Sequence, residues 1–239
     1  MQCLILAGGL GTRLGQRTAD RPKAMIEVAG EPFIRHQLRL LSDGGIDDVV
    51  ISIGYLGEMI ANEVVEHCPH GMAVRCSTDG DTLLGTAGAV RLAVENGVTD
   101  EQFMVLYGDS YLVVDYSEVW ASFDSTQHHG LMTVWRNDDA LEASNAGVRD
   151  GRVVVYRKAA DGANHPSMNY IDYGLGILCA DAVLALVPAG VRHDLATVYE
   201  TIAMRGRLQA YEVCQPFHEI GSESGIAELE RYLAMELQP

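Results

Sequence analysis

The sequence lacks any apolar run of about 18 residues, the length that a membrane-spanning helix requires. No basic stretch precedes an apolar segment near Met1, so the pattern of a secretory signal peptide is missing. The five cysteines are an odd number without a C-x-x-C pair, which is typical of reduced thiols rather than of a disulfide framework. From these absences we expect a soluble, cytoplasmic protein that does not associate with a membrane.

Positive charge is also scarce. The formal net charge is −16, and Lys23 and Lys158 are the only lysines among 17 basic residues. A chain this acidic lacks the basic face that nucleic-acid binding needs, so we expect no nucleic-acid partner. The first 40 residues nevertheless carry six basic and three acidic side chains, a local excess that would attract an anionic substrate.

A glycine-rich loop follows the first apolar run. Residues 4–7 predict a buried strand, and residues 8–13 are too rich in glycine for a strand or helix interior. Backbone N–H groups in such a loop can surround phosphate oxygens while a nearby cation neutralises charge. A Walker A loop requires a lysine directly after its last glycine, and no lysine stands at that place here. The third glycine of the dinucleotide fingerprint would fall on Leu14 or Gln16, so both common loops are excluded.

Residues 8–14, GGLGTRL, followed by Arg21-Pro22-Lys23, resemble the opening signature of the sugar-1-phosphate nucleotidylyltransferases. These enzymes transfer a nucleoside monophosphate from an NTP to a sugar 1-phosphate and release pyrophosphate. The resemblance implies that Arg13 stabilises the departing pyrophosphate and that Lys23 holds the α-phosphate and the incoming phosphate. It also implies nucleotide-binding residues along the strand and loop, namely Leu6, Ala7, Gly8, Gly9, Gly11 and Thr12.

A second glycine turn occupies residues 84–89, LGTAGA, directly before a predicted helix. Gly85 has no Cβ, so a flat base can approach its backbone, and Thr86 is expected to cap the helix. The resemblance implies that Gly85 and Thr86 line the base and ribose of the nucleotide. Leu83 and Leu84 replace the Gln and Pro that are frequent in thymidylyl- and glucose-directed uridylyltransferases, so the base preference of those enzymes does not carry over.

Two carboxylates are the predicted metal ligands. Asp109 closely follows the apolar run at residues 103–107, and in open α/β sheets ligands bind beyond the carboxyl ends of strands. Mg²⁺ prefers oxygen ligands and keeps substrate phosphates in its shell. The resemblance implies that Asp109 is the metal-binding aspartate and that Glu219 replaces a second aspartate late in the chain. We therefore expect Mg²⁺ as the cofactor, which Mn²⁺ can replace.

The sugar-phosphate side departs most from the family. Residues 156–159, YRKA, stand where the family has Glu-Lys-Pro, whose lysine holds the sugar phosphate, and Lys158 matches that lysine. Residues 169–174, NYIDYG, resemble the Asn-x-Gly start of the strand that lines the sugar pocket, with Asp172 in place of the asparagine. The predicted sugar-phosphate-binding residues are therefore Lys158, Asp172 and Gly174.

Alternating apolar patterns predict an α/β class, namely a single-domain Rossmann-like fold with a mostly parallel central sheet and helices on both faces. One domain is expected over residues 1–239, with a nucleotide-binding half at about 1–115 and a sugar-phosphate-binding half at about 116–239. The strands are expected at residues 49–53, 73–76, 103–107, 131–135 and 173–179, with a hairpin turned by Asp150-Gly151. The helices are expected after Pro32 and over residues 56–66, 88–95, 196–204 and 225–235.

The predicted reaction uses the sugar phosphate itself as the nucleophile. A compact chain of this kind most resembles the heptose- or mannose-1-phosphate guanylyltransferases, so we expect GTP as the nucleotide. Two alternatives stay open. One is a uridylyl- or cytidylyltransferase that acts on another sugar phosphate or on phosphocholine, and the other is a non-catalytic paralogue that binds an NDP-sugar. The expected partners are the NTP and the sugar 1-phosphate, and family analogy adds a homodimer.

Overall fold

The computed structural model describes residues 1–9, 11–78, 84–137, 143–158, 167–215 and 217–236, without the side chains of Thr12, Arg13 and Gln16. The chain divides into two compact units that interleave along the sequence. The first unit comprises residues 1–83, 106–113 and 216–239, and the second comprises residues 84–105 and 114–215. Within the described residues, every helix is too short or too polar to cross a membrane.

Strands and helices alternate along most of the chain. The strands are β1 Gln2–Leu6, β2 Glu27–Val28, β3 Glu31–Pro32, β4 Asp48–Ile53, β5 Ala73–Thr78, β6 Gln102–Tyr107, β7 Ser110–Leu112, β8 Gly130–Arg136, β9 Ala146–Arg149, β10 Arg152–Tyr156, β11 Tyr170–Cys179, β12 Leu208–Val213 and β13 Phe217–Glu219. The α-helices are α1 Phe33–Asp43, α2 Gly57–His67, α3 Gly85–Glu95, α4 Tyr116–Ser122, α5 Ala180–Leu186, α6 Leu195–Met204 and α7 Glu223–Glu236.

The first unit contains three parallel strands in the order β5-β4-β1. The middle strand, β4, is a β-branched run in which Val49, Val50 and Ile51 are fully buried, as expected for a strand covered on both faces. A separate two-stranded antiparallel sheet joins β7 to β13. Of the two predicted metal ligands, Asp109 directly precedes β7 and Glu219 is the last residue of β13.

A hydrophobic cluster in the first unit supports that two-stranded sheet. Its members come from three chain segments that are far apart in sequence, and they are Leu14, Ile26, Val28, Phe33, Tyr111, Ile220, Ile226 and Leu229. Phe33 at the start of α1 and Leu229 in α7 are fully buried. Apolar side chains of α1 and α7 meet in this cluster. They pack against Tyr111 of β7 and Ile220, which directly follows β13.

The second unit contains a mixed arrangement in the order β6-β11-β8-β12-β10-β9. β8 pairs in parallel with β12 and antiparallel with β11. The hairpin of β9 and β10 turns at Asp150 and Gly151, whose φ angles are 51° and 72°. Positive φ at both central residues is the pattern of the tight turn that an Asp-Gly pair favours.

The α/β class is confirmed, and each of the predicted strands and helices is present within a few residues of its expected bounds. Seven of the described strands and α-helices were not predicted, namely β2, β3, β7, α4, α5, β12 and β13. Strands pair in both directions, because the second unit returns through hairpins and antiparallel neighbours. The extent of one domain over residues 1–239 and its two halves stays a prediction.

Candidate active site

The glycine loop begins where β1 ends, and its first residues are held by backbone contacts. The Ala7 N–H donates to the Ser52 carbonyl (2.9 Å). A Cβ on Gly54 would lie 2.9 Å from the Gly8 carbonyl oxygen, so the two glycines allow a close backbone approach. By contrast, a Cβ on Gly9 would meet no described atom within 4 Å. Among the described residues, the space that a Cβ on Gly9 would occupy is open.

The loop then turns through Gly11, whose φ of 60° lies in the left-handed region that favours glycine. Thr18 donates its hydroxyl to the Gly11 carbonyl (3.0 Å), which closes the loop on itself. Thr12 and Arg13 begin a 3₁₀ segment at Thr12–Thr18. Their side chains lie outside the described part of the structure, as does the whole of Leu10, so the roles of Thr12 and Arg13 stay predictions.

Lys23 and Asp109 form an ion pair. The distance from Lys23 Nζ to Asp109 Oδ2 is 2.6 Å, and the two side chains are 15% and 31% exposed. Lys23 begins a 3₁₀ turn after Pro22, and Asp109 lies between β6 and β7. The structure therefore brings the predicted catalytic lysine into contact with the predicted metal-binding aspartate.

Backbone pairing brings Glu219 to the same place. In the antiparallel ladder of β7 and β13, Glu219 lies opposite Ser110. Immediately beyond this pair, the Ile220 N–H donates to the Asp109 carbonyl (2.9 Å). The two predicted metal ligands are thus neighbours across one strand pairing, although they lie on distant parts of the chain.

The Glu219 side chain folds back over the end of its own strand. Its Oε2 accepts from the Gly221 N–H (3.0 Å), and its Oε1 accepts from Ser222 Oγ (3.3 Å). A Cβ on Gly221 would lie 2.1 Å from Glu219 Oε2 and 3.1 Å from Lys23 Nζ. The carboxylate and the ammonium therefore occupy neighbouring space, and Gly221 leaves that space free.

The chemistry of this cluster fits a magnesium ion. Within the described residues, no group of three or more His, Cys, Asp or Glu side chains is placed to hold a metal. Mg²⁺ does not require such a cage, since one or two carboxylates with waters and substrate phosphates commonly hold it. Asp109 and Glu219 supply two carboxylates of this type, and the metal itself stays a prediction.

Gly108 fixes the backbone that precedes Asp109. The Gly108 N–H donates to the Leu6 carbonyl (3.0 Å). A Cβ at this position would lie 2.7 Å from the Leu6 oxygen and 2.9 Å from Ala7 Cα, closer than real Cβ contacts. Only glycine allows this approach without a backbone shift, so Asp109 is tied to the strand end where the glycine loop starts.

In the second unit, Gly85 and Thr86 lie at the start of α3. Gly85 has a φ of 71°, and a Cβ there would lie 2.5 Å from the His193 carbonyl oxygen. The expectation that Thr86 caps α3 is wrong, because the N-cap position is Leu84 and no side chain caps this helix. Thr86 Oγ1 instead accepts from the Leu195 N–H (2.8 Å) in the first turn of α6.

Lys158 forms an ion pair with Asp194, the residue that caps α6. The other Asp194 carboxylate oxygen accepts from the Ala196 N–H (3.0 Å) and from Thr86 Oγ1 (3.5 Å). Burial opposes ionisation of Asp194, but hydrogen bonds from Lys158 and Ala196 outweigh it and hold the pKa of this carboxyl below its usual value. The sequence analysis missed Asp194, although an Asp directly before an apolar helical pattern is a recognisable capping signal.

Asp172 lies on β11 within a set of hydrogen bonds. It accepts from the Tyr156 hydroxyl (2.9 Å) and from the Gly174 N–H (3.0 Å), while its own N–H donates to Asn145 Oδ1 (2.8 Å). Burial raises the pKa of the Asp172 carboxyl, and the bonds from Tyr156 and Gly174 only partly oppose that effect. The two predicted sugar-pocket residues, Asp172 and Gly174, are therefore in direct contact.

Comparison with known proteins shows which family the chain belongs to. The sequence profile of a family described as nucleotidyl transferase matches residues 2–148. A D-glycero-α-D-manno-heptose 1-phosphate guanylyltransferase of Aneurinibacillus thermoaerophilus is 28% identical over 158 residues, which is 66% of this chain and 67% of that protein. A glucose-1-phosphate cytidylyltransferase of Salmonella typhimurium is 32% identical over 151 residues, which is 54% of this chain and 57% of that protein.

Solved structures resemble the chain over nearly its whole length. The crystal structure of HddC from Yersinia pseudotuberculosis complexed with GMP-PN has a TM-score of 0.78 at 24% identity, and the match covers 97% of this chain and 99% of that one. A putative glucose-1-phosphate thymidylyltransferase from Bacillus anthracis has a TM-score of 0.83 at 19% identity, with 100% and 97% coverage. At these identities the likeness concerns the fold.

Proposed function

Because the chain belongs to the nucleotidyl transferase family, we propose that it transfers a nucleoside monophosphate from an NTP to a sugar 1-phosphate and releases pyrophosphate. The observation that carries the proposal is the cluster of Lys23, Asp109 and Glu219. It combines one ammonium with two carboxylates, and Gly108 ties it to the start of the glycine loop.

In the proposed reaction an oxygen of the sugar phosphate attacks the α-phosphorus of the NTP. A phosphorus–oxygen bond forms there, the bond from the α-phosphorus to the bridging oxygen breaks, and pyrophosphate leaves with that electron pair. Since the substrate supplies the nucleophile, the protein acts through positioning and charge neutralisation.

Each group of the first unit has one task in this scheme. The backbone N–H groups of the glycine loop bind the triphosphate, and Arg13 neutralises the departing pyrophosphate. Lys23 donates to the phosphate oxygens near the α-phosphorus, and its contact with Asp109 orients the ammonium. Asp109 and Glu219 hold Mg²⁺, which when bound neutralises phosphate charge.

In the second unit, Gly85 and Thr86 bind the nucleotide base and ribose. Lys158 binds the sugar phosphate, while Asp172 and Gly174 contact the sugar. Asp172 can accept hydrogen bonds from sugar hydroxyls. Each of its carboxylate oxygens has two lone pairs, and Tyr156 and Gly174 donate one hydrogen bond to each oxygen. These roles rest on the family resemblance together with the clustering of Asp172 and Gly174.

The finer proposal is GTP with heptose or mannose 1-phosphate in a cytoplasmic homodimer. The guanylyltransferases among the relatives support the base and the sugars, while the homodimer rests on family analogy. The cytidylyltransferase relative favours CTP with a sugar phosphate as the second candidate. Both candidates are variants of one reaction, so a single assay compares them.

The test is pyrophosphate release from each of four NTPs with heptose, mannose and glucose 1-phosphates and with phosphocholine. We expect release with GTP and a heptose or mannose phosphate. In Lys23→Met turnover should fall by about 100-fold or more, since removal of one charge-stabilising donor has that cost. Arg21→Met is the matched control, because Arg21 lies two residues away and pairs with Asp20 instead.

Release with CTP alone would favour the second candidate, and release with phosphocholine alone would contradict a sugar substrate. No release in any combination would contradict the proposal and favour a non-catalytic paralogue. Near-normal turnover in Lys23→Met would remove Lys23 from the proposed mechanism.

A further inference from the structure

Helix α1 places a buried amide against the segment that carries Asp109. Gln37 is 1% exposed. Its Nε2 donates to the Tyr107 carbonyl (3.0 Å) and to the Ser110 carbonyl (2.9 Å). These two carbonyls flank the Gly108-Asp109 pair on either side, so a single side chain bridges the whole turn.

We propose that Gln37 is a positioning residue for Asp109 and, through it, for the metal ion. The proposal rests on the proposed function and deepens it, because it assigns a role to a residue outside the predicted site. An amide that holds both sides of a two-residue turn restricts the turn to one backbone geometry. The direction of the Asp109 carboxylate follows from that geometry.

The surroundings of Gln37 make its amide energetically unfavourable, because part of the polar group is buried without a hydrogen bond. Its neighbours on the same face of α1 are apolar, and they include Ile34, Leu38 and Leu41, all buried. Gln37 Oε1 is itself buried and has no hydrogen-bond partner within the part of the chain that the structure describes. A leucine would avoid this unsatisfied acceptor. The two donated bonds explain why an amide stands here.

Two other restraints act on the same turn. Gly108 is packed against the Leu6 carbonyl, and the Asp109 carbonyl accepts from the Ile220 N–H (2.9 Å). Gln37 supplies the third restraint and the only one of these from a side chain. Residues that hydrogen-bond a metal ligand directly typically change metal affinity or activity by about 10- to 100-fold when replaced, and we expect a comparable effect from a residue that fixes the ligand's backbone.

The experiment measures Mn²⁺ binding from the loss of the free-ion EPR signal, with Mn²⁺ alone as the probe. Gln37→Met keeps the size of the side chain but removes both donors, and we expect its Mn²⁺ affinity to fall by about 10- to 100-fold. Thr133→Val is the matched control. Thr133 also donates from a fully buried side chain to a backbone carbonyl, that of Leu175 (2.6 Å), but it belongs to the second unit. Its Mn²⁺ affinity should equal that of the wild type.

Activity gives a second readout that loss of stability would not produce. In Gln37→Met the Mn²⁺ concentration for half-maximal pyrophosphate release should rise by the same factor as the dissociation constant, with recovery of the rate at saturating Mn²⁺. Thr133→Val should show no such shift at equal loss of thermal stability. If Gln37→Met does not fold, Gln37→Asn applies the same test, because its amide is one methylene shorter and cannot span both carbonyls.

Wild-type Mn²⁺ affinity in a folded Gln37 variant would overturn the role of Gln37 and leave the proposed function intact. A loss of affinity as large in Thr133→Val would overturn it too, since destabilisation would then explain the effect. A wild-type protein that releases no pyrophosphate and binds no Mn²⁺ would instead overturn the proposed function together with this role.

Discussion

The two lysines of the chain both pair with carboxylates, one pair in the first unit and one in the second. Lys23 contacts Asp109, and Lys158 contacts Asp194. The sequence singles out both lysines, because they are rare and because the motifs around them match a family. It does not reveal their partners, since each pairing joins residues that are distant in the chain. Gln37 was missed because it acts through a fold contact that no local pattern reports. Asp194 carries a local capping signal, and only its contact with Lys158 depends on the fold.

The charge of Asp172 opposes folding, because the carboxyl is buried. Burial raises the pKa of its carboxyl above the reference value of 3.8. The folded state therefore holds this proton more tightly than the unfolded state. The stabilising effect of that proton is fully present below the unfolded pKa and is lost as the pH rises through the folded pKa. At neutral pH the ionised group lowers the stability of the folded chain.

We therefore expect Asp172→Asn to raise the melting temperature at about pH 7.5, and this gain to shrink as the pH falls towards about 4.5. The neutral amide keeps an acceptor for the Gly174 N–H, and the Tyr156 hydroxyl can rotate to accept from it. The measurement is thermal unfolding by circular dichroism across that pH range. A gain that stays constant with pH, or a loss that is largest at neutral pH, would contradict the argument.

At the scale of elements, the sequence predicts the strands and helices that are long enough to show a hydrophobic period. Buried runs such as β4 and β6 and amphipathic helices such as α1 and α7 carry that pattern within themselves. The strand β13 has three residues, too few to show a period, and it exists because it pairs with β7. The sequence could therefore place Glu219 beside Asp109 only through the family resemblance, whereas the strand pairing supplies the physical reason.

In helix α6 one side chain, that of Asp194, both caps the helix and pairs with Lys158. Asp194 caps this helix through the Ala196 N–H, and loss of a capping side chain costs about 1 kcal/mol. We expect Asp194→Ala to lower the free energy of unfolding by that amount, or the melting temperature by about 2–4 °C. Asp194→Asn should stay near the wild type, because asparagine also caps helices.

Asp115→Ala is the control for that experiment, since Asp115 caps α4 through the Glu118 N–H (2.9 Å) and bonds to Ser117, whereas Lys158 pairs with Asp194. It should lose similar stability while the KM for the sugar phosphate stays unchanged. In both Asp194 variants that KM should rise, because Lys158 loses its partner. Equal stability losses in Asp194→Ala and Asp194→Asn would show that capping is not the source of the effect.

At the scale of the molecule, three separate chain segments build the first unit, and each contributes one member of the charged cluster. Lys23 comes from the first segment, Asp109 from the second and Glu219 from the third. A ligand that binds this cluster binds the folded chain and not the unfolded one. Its binding free energy therefore adds to the free energy of unfolding.

We accordingly expect Mn²⁺ at about 100 times its dissociation constant to stabilise the protein by about 2.7 kcal/mol. The measurement is thermal unfolding with and without Mn²⁺, followed by removal of the ion with a chelator, which should reverse the shift. Asp109→Asn should show no shift, whereas Asp172→Asn, in the second unit, should keep it. An undiminished shift in Asp109→Asn would mean that Mn²⁺ binds elsewhere.

The pairing of β7 with β13 also has a consequence for biosynthesis. A ribosome releases residues 110–112 long before residues 217–219, and the whole of the second unit after β7 is made in between. Until β13 emerges, β7 lacks its partner and the nascent chain carries Asp109 without Glu219. The cluster of Lys23, Asp109 and Glu219 is consequently among the last parts of the protein to form during translation, so an incomplete chain with an intact glycine loop would still lack the proposed activity.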